Sequence, residues 1–249
     1  MDLFNVLKSE FLKLKKDTMF YIGTIITMLV PILVILKDKV ISAPPKSAMD
    51  WVMTCCLVNF LIFSILSGLV ITNLVQKEYQ SGTLTNILTS AVSRTSFVFS
   101  KLVIWFFWYF ILLVYIEIVT VLGSKFIYPD EFSMDFVKIV IAMFTKFGLL
   151  SFITFIPLLW VTILQKNLFY PSVLVAIAFT GILVGGFNIS LDMIFLASLI
   201  PWTAVSLISI YQVKPLYHNW NNFYCFNWNN WFTLSHTINL QTRTIMGLF

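Results

Sequence analysis

Six apolar runs constrain this chain more than anything else in it: Met19 to Leu36, Trp51 to Val75, Leu102 to Gly123, Phe136 to Leu164, Leu168 to Phe187, and Leu191 to Val213. A bilayer core about 30 Å thick takes about 20 helical residues per crossing, so the first five are long enough to span. Phe136 to Leu164, at 29 residues, must tilt, kink at Pro157 or project beyond the bilayer. The sixth carries Pro201 at its centre and reads either as a span or as a helix pair that dips into the outer leaflet and returns. Composition agrees, with 59% apolar and 11% charged residues and a mean hydropathy of +0.91; a soluble domain is nearer half apolar and a quarter charged. A globule of this size lacks the interior to hide so much apolar surface, which excludes a water-soluble enzyme. The expectation is an all-α, polytopic transmembrane helical bundle forming one domain over residues 1–249.

Positive charge sets the orientation. With the N-terminus inside, the cytoplasmic side receives Lys8, Lys13, Lys15, Lys16, Lys77, Arg94, Lys101 and Lys166, against Lys37, Lys39, Lys46, Lys125 and Lys138 outside. The first run lacks a small-residue cleavage site behind it, so no cleavable signal peptide is expected. Residues 1–18 carry Leu3, Leu7, Phe11 and Leu14 on one helical stripe, with Asp2, Asn5, Ser9, Lys13 and Lys16 opposite. That pattern predicts an interfacial helix with its apolar side in the acyl boundary; the alternative is a basic flank that only fixes topology.

The connection between the second and third runs, residues 78–100, is too long and too patterned for a turn. Leu84, Ile87, Leu88 and Ala91 share one face, with Thr85, Asn86 and Thr89 on the other, and Gly82 precedes the helical part. This predicts a short amphipathic cytoplasmic helix whose apolar face needs lipid or a partner protein. Glu78 and Arg94 flank it, either as ion-pair anchors to a partner or to the N-terminal helix, or as solvated flanks worth under about 1 kcal/mol.

These residues resemble a family. Glu78-x-x-x-Gly82-Thr83, a short helix, Ser93-Arg94 and then Lys101 opening the next run look like the signature of bacterial ABC exporter permeases of the type-2 class. The prelude Ser9 to Lys16 is similar to that family's start, and Pro201-Trp202 to its late extracytoplasmic segment. The resemblance covers about residues 1–212, and the size is closest to the small permeases of lantibiotic immunity and bacitracin-type peptide export. It implies a six-span pattern and a coupling role in which Glu78, Gly82, Thr83, Leu84, Ile87, Leu88 and Arg94 meet a separate ABC ATPase subunit. A second permease copy or a homologous permease would complete the assembly in a bacterial plasma membrane. The chain itself has no Gly-x-x-x-x-Gly-Lys-Ser/Thr loop to cradle phosphates, so ATP hydrolysis is expected on the partner, and no cofactor or nucleic-acid partner is expected here.

Other chemistry is sparse. Glu117 and Lys146 fall inside runs at comparable depth, which suits a stabilising pair or snorkelling better than a substrate contact. Asn59, Asn73 and Thr154 suit hydrogen bonding between helices. His218 and His236 stand far from any Cys or carboxylate at metal-ligand spacing, and Cys55, Cys56 and Cys225 form no disulfide framework, so no catalytic or metal site is expected. From Asn219 the chain becomes rich in Asn and Trp, unlike everything before it. With A/T-rich codon choices the same stretch read one nucleotide later becomes an apolar run, so residues 219–249 are either a frame-shifted last span or an aromatic tail lying at the interface. The rival functional classes are a secondary transporter or channel, and a non-transporting scaffold or sensor subunit.

Overall fold

The structure, a computed structural model, describes residues 3–15, 17–41, 45, 47–80, 94–164, 169–188 and 199–211. Among these all regular structure is helical: α1 (Leu3–Leu14), α2 (Thr18–Ile41), α3 (Ala48–Gln80), α4 (Arg94–Ile127), α5 (Met134–Leu164), α6 (Phe169–Gly185) and α7 (Pro201–Tyr211), with 3-10 turns at Pro129–Glu131 and Gly186–Asn188.

Four of them, α2 to α5, are long and apolar enough to cross a membrane, and each contains one of the first four apolar runs. The chain is a multi-pass membrane protein built as a helical bundle. Pro157 interrupts neither the course nor the length of α5, which stays helical from Met134 to Leu164. The fifth run forms a shorter helix than its length suggests. α6 has 17 residues, about 25 Å at 1.5 Å per residue, because the chain tightens into a 3-10 turn at Gly186. Pro201 opens α7 rather than bending a helix: its fixed φ suits a first turn, where a missing N–H costs nothing. The described α7 has 11 residues, about 16 Å at 1.5 Å per residue; whether the sixth run spans or re-enters falls partly outside the described residues. Residues 189–198 and the tail 219–249, with its two readings, lie outside the described residues.

α3 is the centre of the bundle, packed against α2, α4, α5 and α6. Small residues set how closely the helices approach. A Cβ at Gly68 of α3 would stand 2.4 Å from the Cβ of Ala176 in α6, and one at Gly123 of α4 would meet Ile35 of α2 and Trp51 of α3. Aromatic side chains fill the interior: Phe63 stacks on Tyr109 at 4.4 Å, Phe60 meets Phe147 edge-on at 4.4 Å, and Trp105 lies 4.6 Å from Phe152. Their polar atoms are satisfied in place. Trp105 donates to Ser67 Oγ (2.9 Å), Trp108 to Thr24 Oγ1 (2.8 Å), and the Tyr109 hydroxyl to the Gly148 carbonyl (3.0 Å).

α6 and α7 close one side. Ser206 donates to the Leu183 carbonyl, and Trp202 packs 4.1 Å from Phe179. At the end of the bundle opposite α1, Trp51 donates to Asp38 (2.7 Å), Glu131 accepts from the Ala48 N–H (2.9 Å), and the Tyr128 hydroxyl donates to the Pro45 carbonyl. Burial, together with the Asp38, Glu131 and Asp50 carboxylates, pushes the Tyr128 phenol up. The turns joining α2 to α3 and α4 to α5 are thereby fastened to each other.

Candidate functional site

Charge gathers where α1 meets the ends of α3 and α4 that border residues 81–93. Lys101 of α4 donates to both Glu10 of α1 and Glu78 of α3, the latter at 3.0 Å. Lys13 of α1 bridges the same two carboxylates from outside, 2.8 Å from Glu10 and 2.9 Å from Glu78. The two arms differ in burial: the side chains of Lys101, Glu10 and Glu78 are 3%, 5% and 6% exposed, and that of Lys13 is 48% exposed. Burial alone would lower the Lys13 pKa, but hydrogen bonds and charge from Glu10 and Glu78 outweigh it and hold the ammonium above its ordinary value.

Sequence-local forces bring α1 there. Asp17, buried between α1 and α2, caps α2 by accepting from the Met19 N–H (3.1 Å). Its other oxygen receives Asn73 Nδ2 at 2.8 Å and lies 3.4 Å from Lys77 Nζ, both on α3. Gln76, on the same end of α3, donates to the Thr162 carbonyl of α5. The elbow between α1 and α2 is pinned to α3, which leaves α1 lying against α4 with Glu10 facing inward.

This refines the expected interfacial helix. Of the apolar stripe, Phe11 is 70% exposed while Leu14 is buried against the bundle, and the inward face is led by a carboxylate. In lipid-facing surroundings a charge is costly unless paired; Lys101 supplies the pairing, and that decides which side of α1 turns in.

Of the residues singled out from sequence, Glu78 lies inside this cluster. Gly82, Thr83, Leu84, Ile87 and Leu88 lie outside the described residues. Arg94 begins α4, and its side chain is outside them as well. Glu117 is buried at the contact of α4 and α5 and accepts from Thr145 (2.8 Å). Lys146, the next residue, is exposed on α5. Asn73 is used in the elbow, and Thr154 donates to the Ser151 carbonyl within its own helix. Among the described residues no group of His, Cys, Asp and Glu is placed to hold a metal ion.

Sequence reasoning passed over Glu10, Lys13 and Asp17 as members of a site and treated Lys101 as a marker of where a span begins. One signal was present: Glu10 and Asp17 are set among Lys8, Lys13, Lys15 and Lys16, and a carboxylate beside a membrane calls for a fixed partner. The cluster ties α1 to α3 and α4, the helices on either side of residues 81–93.

A family model described as ABC-2 family transporter protein matches residues 6–185, a stretch that begins in α1 and ends with α6. The chain is 32% identical over 157 residues to the bacitracin transport permease protein BCRB of Bacillus licheniformis, covering 61% of this chain and 70% of that one. No solved structure matches it. With a family match over well more than half its length and this relative beside it, the chain belongs to the ABC-2 family of transporter proteins.

Proposed function

We propose that the chain is the membrane-spanning permease subunit of an ATP-driven exporter that moves a peptide antibiotic or bacteriocin out of, or away from, a bacterial plasma membrane as self-protection. A separate ABC ATPase supplies the energy, and a second permease copy or a homologous permease completes the path. The N-terminus and residues 78–100 face the cytoplasm, with Gly82, Thr83, Leu84, Ile87 and Leu88 seated on the ATPase. Glu78 and Arg94 anchor the two ends of that segment.

One observation carries this reading: the buried cluster of Glu10, Glu78 and Lys101 joins α1 to the helices on both sides of residues 81–93. A plain connecting loop needs no such bracing, whereas a segment that receives force does. The peptide cargo is supported by the relative that carries the bacitracin transport name.

The test is affinity purification of the tagged permease co-expressed with its ATPase. Arg94→Glu or Gly82→Trp should abolish co-purification of the ATPase while membrane insertion persists. Unchanged co-purification refutes the docking assignment. ATP-dependent bacitracin uptake into inverted vesicles tests the cargo, and its absence with an intact complex refutes the peptide assignment alone.

A further inference from the structure

Asn59 lies in the middle of α3, 2% exposed, and among the described residues neither its amide nitrogen nor its amide oxygen has a hydrogen-bond partner. Eleven residues separate it from Ala48, so it stands about 16 Å along the helix, well inside any bilayer. Thr72, Thr120 and Ser151 also hold buried hydroxyls without partners, but a hydroxyl can rotate onto a carbonyl one turn back. Thr27 does so to Gly23, and Thr180 to Ala176. A carboxamide in a helix interior has no such escape, because its oxygen needs a donor and the backbone N–H groups around it are already used.

An unpaired amide in an apolar interior is a standing cost, and lipid offers nothing to relieve it. The neighbourhood is otherwise tightly made: Phe60 packs on Phe144 and Phe147 of α5, and Cys55 and Cys56, one turn earlier, are free thiols only 2% and 1% exposed. A well-packed site that keeps one unsatisfied amide carries a cost that a second packing would relieve.

We propose that Asn59 biases α3 toward a second arrangement, in which α3 parts from α4 and α5 at this level and the amide meets water. The packed arrangement described above is the strained member of the pair. Asn59 sets the balance between them, whether or not an ATPase docks on residues 81–93.

Cys55 and Cys56 read this directly, because a maleimide attacks the thiolate, which forms only where water reaches. The experiment uses the full chain in proteoliposomes with Cys225→Ser, and follows N-ethylmaleimide labelling in the Asn59 parent and in Asn59→Leu and Asn59→Met. Both replacements are apolar and match Asn in the number of side-chain heavy atoms. Relief of the unpaired amide should slow labelling by at least about tenfold and raise the apparent Tm of the purified protein. A parent rate within threefold of both variants, or a parent that does not label, overturns the proposal. A lower Tm in both variants overturns it too, since it would mark Asn59 as a packing residue.

Discussion

Removing the Lys101 charge separates the buried arm of the cluster from the exposed one. In Lys101→Met the Glu10 and Glu78 carboxylates, 5% and 6% exposed in the parent, lose their buried ammonium and keep Lys13, which sits at the rim. Deleting one partner of a buried pair costs about 3–5 kcal/mol, because the remaining charge is left in a medium that cannot solvate it. For a chain of this length about 1 kcal/mol moves the midpoint by roughly 2–4 °C, so the loss should be on the order of 10 °C. The same deletion at the rim, Lys13→Met, removes a half-exposed pair and should cost about 1 kcal/mol or less. The decisive chain is the triple variant Lys101→Met, Glu10→Gln, Glu78→Gln. Its carboxylates are gone, so most of the lost stability should return even though all four ion pairs described for the cluster have been deleted. Apparent Tm of the detergent-purified proteins, at 0.1 M and 1 M NaCl, is the assay. Added salt should leave the Lys101→Met deficit unchanged and shrink the Lys13→Met deficit, since screening acts on exposed charge. A Lys101→Met midpoint within about 2 °C of the parent, or a triple variant no better than the single, refutes the buried-charge reasoning.

Three further outcomes follow from other contacts. Because its folded-state pKa is raised, Lys13 contributes stability that is complete below the ordinary lysine value of 10.5 and disappears as pH climbs through the raised value; a pH 8 to 12 unfolding series should fall more steeply for the parent than for Lys13→Gln, and parallel curves would contradict this. Gly68→Ala should cost about 1–3 kcal/mol by pushing α3 off Ala176, and adding Ala176→Gly should recover much of it, whereas Gly148→Ala should cost less because the atoms it meets are the mobile methyl groups of Leu113; chemical-denaturation midpoints of the four proteins check the ranking. Trp51→Phe leaves the buried Asp38 without its 2.7 Å indole donor and should cost about 1.5–3 kcal/mol, seen as faster cleavage by added protease near residues 42–47.

Lipid as the solvent, and the four long helices, were legible because apolar run length is nearly the only variable that matters for a spanning helix. The ends were less legible. α3 runs on from Val75 to Gln80, and α4 starts at Arg94 rather than Leu102, since backbone hydrogen bonding continues past the last apolar side chain into the interface. The shortening of α6 turned on Gly185-Gly186, which hydropathy scores as harmless. The contact between Glu10 and Lys101 joins residues 91 apart, and helical periodicity carries no information at that range. Glu78 was found through a family pattern, but its contacts with Lys13 and Lys101 belong to tertiary geometry. Glu117 and Lys146 were placed at a common depth by counting turns; that Thr145 is the donor to Glu117 depends on the rotation of α5 about its axis, which depth does not specify.

The position of α3 has a consequence for biogenesis. It leaves the ribosome second among the spanning helices, yet α4, α5 and α6, three of the four helices that enclose it, are still unmade. Until they arrive, Asp50, Asn59, Ser64, Ser67 and Thr72 face the lipid or the insertion machinery instead of protein. The hydroxyls can bond a carbonyl one turn back, but the Asn59 amide is an expensive guest in hydrocarbon, so α3 is expected to need shelter until Gly68 can close on Ala176. A nascent chain released between α3 and α6 would present that polar face to the membrane and become a substrate for quality-control proteolysis.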